Sequence, residues 1–260
     1  MSVKVMVVHR ADKAKEAKLL VDQLNGHVEV VQKYDLESLK PGSYNCDFVI
    51  VVGGDGTVLK TAKIVDKPVL GFKAGRIGFL ASYTLDQVEV FLRDLHEGKL
   101  LEEKRWMLKV IGKNGSYNAI NDLVVMVSSK KMAEFRLSFD GCSDLIFFSD
   151  GILACTPTGS TAYNLSLGGA IVSPNCDVIQ IMPIAPYFLQ NRSIIVPTSQ
   201  KIKLWSHAVC DVMIDGVIVE KGSEVFFTKS EKVFSLLRPD YYDFFAVLKN
   251  KVGYGRGITD

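Results

Sequence analysis

The chain has 260 residues, 48% hydrophobic and 23% charged, long enough to bury roughly three quarters of its unfolded surface in one large or two modest cores. A net charge of +2 argues against nucleic acid or an anionic membrane as a partner held by bulk electrostatics. Five scattered cysteines (Cys46, Cys142, Cys155, Cys176 and Cys210), in no C-x-x-C pair, support neither a disulfide framework nor a zinc site and point to a reduced, cytoplasmic setting. The apolar run before His9 is too short for a signal peptide, and nowhere do ~18 apolar residues occur together, so a soluble protein is expected.

Residues 3–8 read as a first strand, after which Ala14, Ala17, Leu20, Val21 and Leu24 recur at helical spacing until Gly26 ends the pattern. Val28 to Val31 forms the next strand. Residues 48–52, apolar without alternation, read as a central strand covered on both faces, followed by the turn Gly53-Gly-Asp-Gly-Thr57 and a helix over about 58–66 that Thr57 is placed to cap. Pro68 to Phe72 gives another short strand, then a second glycine turn, Gly75-Arg-Ile-Gly-Phe79. Thr84-Leu-Asp-Gln87 is a capping box, and Leu85, Val88, Leu92 and Leu95 form a stripe that Gly98 closes. Residues 1–98 therefore predict an α/β domain, a doubly wound parallel sheet with helices on both faces. From 99 to 240 many short strand-like runs separated by Asn, Asp, Gly and Pro predict a mainly antiparallel β domain, interrupted by one helical segment around 160–169. Tyr241 to Leu248 suggests a short helix, in a tail of residues 241–260, returning to the first domain.

Three stretches carry chemistry. A strand feeding a Gly-rich turn and a helix start presents amides and the positive end of a dipole, which suits phosphate. The spacing in Gly53 to Thr57 is neither that of a P-loop nor that of a Rossmann fingerprint. Its distinguishing residue is Asp55: a carboxylate there repels phosphate unless it takes a proton from a hydroxyl or holds a divalent cation, although Asp also serves as a plain turn former. Lys60 and Arg76 are placed to reach phosphate, whereas Lys63 and Lys67 suit a solvated helix face. In the β domain, Asp150-Gly151 is followed by a strand and by Thr156-Pro-Thr-Gly-Ser-Thr-Ala-Tyr163, expected to expose amides and hydroxyls around a space kept clear of bulk, with Tyr163 against a base; a capped S/T-rich turn is the alternative. Asn121-Asp122 sets two polar residues against an apolar strand, which also fits a β-turn.

In order and spacing these motifs together resemble the NAD kinase family over nearly the whole chain. A lone G-G-D-G-T would be weak, because diacylglycerol and sphingosine kinases and 6-phosphofructokinases carry similar turns; the combination is specific. The resemblance implies transfer of the terminal phosphoryl group of ATP, with Mg²⁺ arriving on the ATP, to the adenosine 2′-hydroxyl of NAD to make NADP. It implies Asp55 as proton acceptor, with Asp55, Gly56, Lys60, Phe79, Asn121, Asp122, Asp150, Thr161, Ala162, Tyr163 and Ser166 around NAD. Gly53, Gly54, Gly56, Thr57 and Arg76 are expected at phosphate. Asp122 stands where many members have Glu, one methylene shorter, and Ile77 replaces a usual Leu. No carboxylate cluster suggests a permanent metal cage. The family commonly forms dimers or tetramers, and the apolar stretch Ile181 to Leu189 is a candidate interface. The alternatives are a lipid or sugar kinase sharing the turn, and a non-catalytic dinucleotide sensor.

Overall fold

The computed structural model describes residues 2–73, 78–129, 131–140 and 142–255. The chain divides into two compact units, one of Met1–Lys104 with Phe234–Asp260 and one of Arg105–Val233.

The first unit is built on parallel strands. They are β1 (Lys4–His9), β2 (Glu29–Asp35), β3 (Phe48–Val52), β4 (Val69–Lys73) and β5 (Ala81–Thr84), interleaved with helices α1 (Ala14–Leu24), α2 (Asp55–Ile64) and α3 (Val88–His96). The sheet runs β2-β1-β3-β4, with β5 also paired to β4, all parallel. All five residues of β3 are buried, as an unbroken aliphatic run between two neighbours requires. Leu20 and Leu24 of α1 and Phe91 of α3 close one core with Ile50, Val52, Leu70, Phe72 and Tyr83. Gly26 and Gly98 take φ of +83° and +69° just past their helices, and the Thr84–Gln87 capping box is formed. In one respect the sequence reading is corrected. Helix α2 begins at Asp55 with Gly54 as its N-cap, so Thr57 lies inside the first turn instead of capping it. The three glycines let the backbone turn into the helix three residues early, and the buried Thr57 side chain covers Gly53, where a Cβ would meet it.

The second unit is antiparallel. Its strands are β6 (Leu100–Ile111), β7 (Ser116–Ala119), β8 (Asp122–Val127), β9 (Ala133–Phe139), β10 (Leu145–Ser149), β11 (Gly151–Cys155), β12 (Val178–Ile184), β13 (Ile194–Pro197), β14 (Ile202–Ile214) and β15 (Val217–Pro239), the boundaries of the unit falling inside β6 and β15. The sheet order is β13-β12-β11-β8-β14-β15, while β9 joins the start of β14 to β10. Strands β8 and β11 are covered on both faces: Leu123, Val125, Ile152 and Ala154 enter the main core, and Val124, Leu153 and Cys155 enter a smaller one with Met182 and Ile184. The helix expected around 160–169 is shorter than its sequence suggested: a 3₁₀ turn at Gly159–Thr161 and one α turn, α4 (Tyr163–Ser166). Ser160 and Asn164 bond nearby backbone groups, and Gly168 at φ +79° ends the turn. The apolar stretch Ile181 to Leu189 also divides, for Ile181–Ile184 is buried on β12 while Tyr187, Phe188 and Leu189 are 65%, 50% and 78% exposed.

The last element, α5 (Phe244–Val252), belongs to the first unit. It starts three residues later than its sequence suggested, because the Asp243 side chain accepts from the Phe245 amide and caps it; Gly253, at φ +74°, ends it.

Candidate active site

Strand register places the Gly53–Thr57 turn at the carboxyl edge of the parallel sheet, since His9, Val52 and Phe72 stand side by side at the ends of β1, β3 and β4. The Gly53 amide makes one more bond, to the Phe72 carbonyl at 2.9 Å, before the chain enters α2. Asp55 is thereby the first residue of the helix, in the half-buried position where the macrodipole favours a negative charge.

Among the described residues three donors meet its carboxylate. Oδ2 accepts from the Phe79 amide at 3.0 Å and from Lys251 Nζ of α5 at 2.7 Å, and Oδ1 accepts from the Leu80 amide at 3.1 Å. Gly78 is required beside them, because a Cβ there would lie inside the Asp55 carboxylate. Burial pushes the Asp55 carboxyl upward, but the Lys251 ion pair and the Leu80 and Phe79 amides outweigh it and hold the group below the ordinary carboxylate range. The segment that supplies the amides is itself fixed. The Phe79 carbonyl accepts from Arg238 Nη2 at 2.6 Å and from the Tyr242 hydroxyl at 3.4 Å, and its ring lies between Phe244 and the Lys251 ammonium. Arg238 is held in turn by Glu103, 2.7 Å from Nε, and lies over the Tyr242 ring at 3.9 Å. Of the expected phosphate residues, Gly53 and Thr57 are buried, Gly54 is half-buried and Gly56 exposed, as is Lys60; Arg76 and Ile77 lie outside the described residues.

The second unit gathers its own group. Thr156 Oγ1 donates to the Ile120 carbonyl at 2.6 Å and accepts from the Gly159 amide at 3.1 Å, and the Thr156 amide bonds Asn121 O at 2.9 Å. Gly159 lies so close that a Cβ would strike the Asn121 carbonyl. The Thr156 to Ala162 turn is thus folded onto Asn121 and the buried Asp122. Its inner hydroxyls are not exposed, contrary to expectation: residues 151–160 are all buried, and Ser160 Oγ is shared between the Pro157 carbonyl and Val172. Buried hydroxyls without bonds are costly, so these serve the turn itself. What faces outward is the half-buried Thr161 and Ala162, Tyr163 at 39% exposed, and Ser166. Asp150 is not with them. It precedes β11, whereas the Thr156 turn follows it, so the two lie beyond opposite ends of a five-residue strand, about 20 Å apart at strand rise.

Several contributors were not singled out from the sequence. Lys251 and Arg238 are far from Asp55 in the chain and look like ordinary surface residues, and Gly78 is legible only as part of the Gly75–Phe79 turn, not as the space the Asp55 carboxylate fills. Asp215 is another: in the Asp215-Gly216 hairpin turn, at φ +48° and +80°, its carboxylate accepts from the amides of Ile120, Asn121 and Asp122 at 2.9, 2.7 and 3.0 Å. Asp-Gly between two apolar runs signals a hairpin, and nothing local says that its side chain clamps another turn.

Known proteins share this pattern. Residues 5–100 match the ATP-NAD kinase N-terminal domain family and residues 120–238 the ATP-NAD kinase C-terminal domain family. The chain is 43% identical to the NAD kinase of Thermotoga neapolitana over 98% of its own length and 100% of that protein's, and 40% identical, with the same coverage, to that of Thermotoga maritima. Among solved structures, yeast NADH kinase complexed with NADH superposes with a TM-score of 0.83 over 99% of this chain and 89% of the other, at 21% identity, a likeness of fold alone. An NAD kinase from Archaeoglobus fulgidus in complex with ATP gives a TM-score of 0.75 over 96% and 98%, at 25% identity. With full-length relatives at this identity and both domain families matched in order, the chain belongs to the NAD kinase family.

Proposed function

We propose that the chain transfers the terminal phosphoryl group of ATP to the adenosine 2′-hydroxyl of NAD, releasing ADP and NADP. The observation that carries the chemistry is Asp55, a carboxylate kept ionised at a helix start in a glycine turn. In the reaction the bond from the 2′-oxygen to the terminal phosphorus forms as the bond from that phosphorus to the β,γ-bridging oxygen breaks. ADP leaves with the electron pair, and the hydroxyl proton passes to Asp55. Phosphoryl transfer goes through a loose transition state in which the proton leaves late, so a weak base in the right place suffices. The glycine turn amides, with Lys60 and Arg76, are assigned to phosphate, and Phe79, Asn121, Asp122, Thr161, Ala162, Tyr163 and Ser166 to the dinucleotide. Among the described residues no three His, Cys, Asp or Glu side chains gather as a cation's ligand set, so magnesium is written here as part of the Mg–ATP substrate.

We assign Asp150 to the dinucleotide of a neighbouring copy. It sits at the end of β11 remote from the Thr156 turn and beside exposed Phe148 and Tyr187, whose rings meet edge to face. A homo-oligomer joined through Tyr187, Phe188 and Leu189 covers this apolar surface and completes the site. Light scattering checks it: a fully active monomer at working concentration overturns the assignment. No described helix is long and apolar enough to cross a membrane, and we assign the enzyme to the cytoplasm, where its nucleotides are.

The test of the activity is a turnover assay with NAD and NADH as acceptors and ATP as donor. Stoichiometric ADP and NADP support the proposal; binding of NAD without release of ADP makes the chain a sensor.

A further inference from the structure

The carboxylate of Asp55 offers about four lone-pair positions. Donors among the described residues take three: two on Oδ2, by Lys251 and the Phe79 amide, and one on Oδ1, by the Leu80 amide. The second position on Oδ1 is the one these donors leave to a further donor, and the side chain remains 27% exposed. Lys251 itself is anchored by more than its charge. It stands in the last turn of α5, its ammonium lies 4.3 Å from the centre of the Phe79 ring, and α5 is seated by buried Leu248 and by Phe244 against the same ring. Among the described residues it is the one charged side chain within ion-pair reach of Asp55; from residues 78–80, just before β5, the Phe79 and Leu80 amides face the carboxylate.

We propose that Lys251 is the positioning residue for Asp55, holding Oδ2 so that the free lone pair of Oδ1 receives the acceptor hydroxyl and keeping the carboxylate ionised where it must act as a base. This rests on Asp55 being that base. Lys251 does not take the proton or bind the nucleotide in this arrangement; it acts through Asp55. An ammonium at hydrogen-bond distance favours the charged form of a carboxylate, so losing it both frees the side chain to rotate and makes the carboxyl easier to protonate.

The experiment measures kcat/KM for NAD against pH, from mildly acid to mildly alkaline, in the wild type, Lys251→Met, Lys251→Gln, Lys251→Arg and Asp55→Asn. All use the same Mg–ATP, so titration of the nucleotide is common to them. The Lys251 side chain is 33% exposed in a terminal helical turn, and thermal melts establish that each variant is folded. The expected result is an acid limb displaced to higher pH in both neutral variants, so that their deficit relative to wild type grows by about tenfold between pH 8 and pH 5. Lys251→Arg should follow the wild-type curve. Neutral variants whose curves run parallel to wild type at every pH, at whatever absolute rate, overturn the proposal and leave Lys251 a structural contact. Asp55→Asn separates this failure from a deeper one. If the displaced limb persists when Asp55→Asn is added to Lys251→Met, Asp55 is not the titrating group and the mechanism itself falls.

Discussion

Two glycine-containing turns of this protein, Gly53–Thr57 and Thr156–Ala162, start alike and are satisfied differently. Each follows a wholly buried strand, β3 in the first unit and β11 in the second, and each runs through small residues into a helical turn. In the second, the polar groups are consumed mainly close at hand: Thr156 holds Gly159, and Asn164 donates to Ser160 and Ala170. In the first, the polar group is one carboxylate, and its donors come from 24, 25 and 196 residues away. A turn that bonds itself is a rigid platform, with its outer residues Thr161 to Tyr163 left for contact. A turn completed from afar concentrates its chemistry on one side chain and ties that side chain to the rest of its unit.

The sharpest way to break the comparison is Asp55→Asn. We expect kcat to fall by ~10²–10⁴ with NAD affinity retained or slightly improved, measured well below the melting temperature. Because both carboxylate oxygens accept amide bonds, the amide group of Asn leaves one backbone donor unpaired, and stability should drop as well, by about 1–3 kcal/mol in denaturant melts. A folded Asp55→Asn enzyme with near-normal turnover would reduce Asp55 to a former of its turn.

Gly159→Ala tests the opposite claim, that the second turn is architecture. Its new Cβ meets the backbone carbonyl of Asn121, which has no flexible end to swing away. A loss of about 1–3 kcal/mol of stability is expected from overpacking. An unchanged melting curve would show that this turn is not built on Asn121 as tightly as described.

The smallest change in stability is expected of Ala162→Leu. Ala162 is half-buried on the outer side of the same turn, so a larger side chain should weaken NAD binding, read as a higher Kd, with the melting temperature nearly unchanged. Unaltered affinity would return Thr161 to Tyr163 to the turn's own architecture.

Much of the architecture was legible because its signals act over a few residues. The aliphatic run of β3, the helical spacing of α1, the Thr84–Gln87 box and the closing glycines each restrict the local backbone, and a Gly-Gly-Asp-Gly turn after a buried strand leaves few other readings. The misreadings were local as well. Thr57 was an acceptable cap, but glycine at 54 lets the helix begin at Asp55, and the S/T-rich turn after β11 spends its hydroxyls inward because burial leaves them no water. Burial is a property of what covers a residue, which the neighbouring letters do not contain.

By itself, then, the amino-acid order determined the alternation of elements, the two turns and the carboxylate set in the first of them. Tertiary structure decided that among the described residues Lys251 reaches that carboxylate, that Gly78 and the Phe79 and Leu80 amides lie against it, and that Asp215 clamps Asn121 and Asp122. The reason is that a lysine on the last turn of a surface helix has the same local preferences whether it faces water or a carboxylate. Only the closure of the chain over 196 residues gives Lys251 a partner.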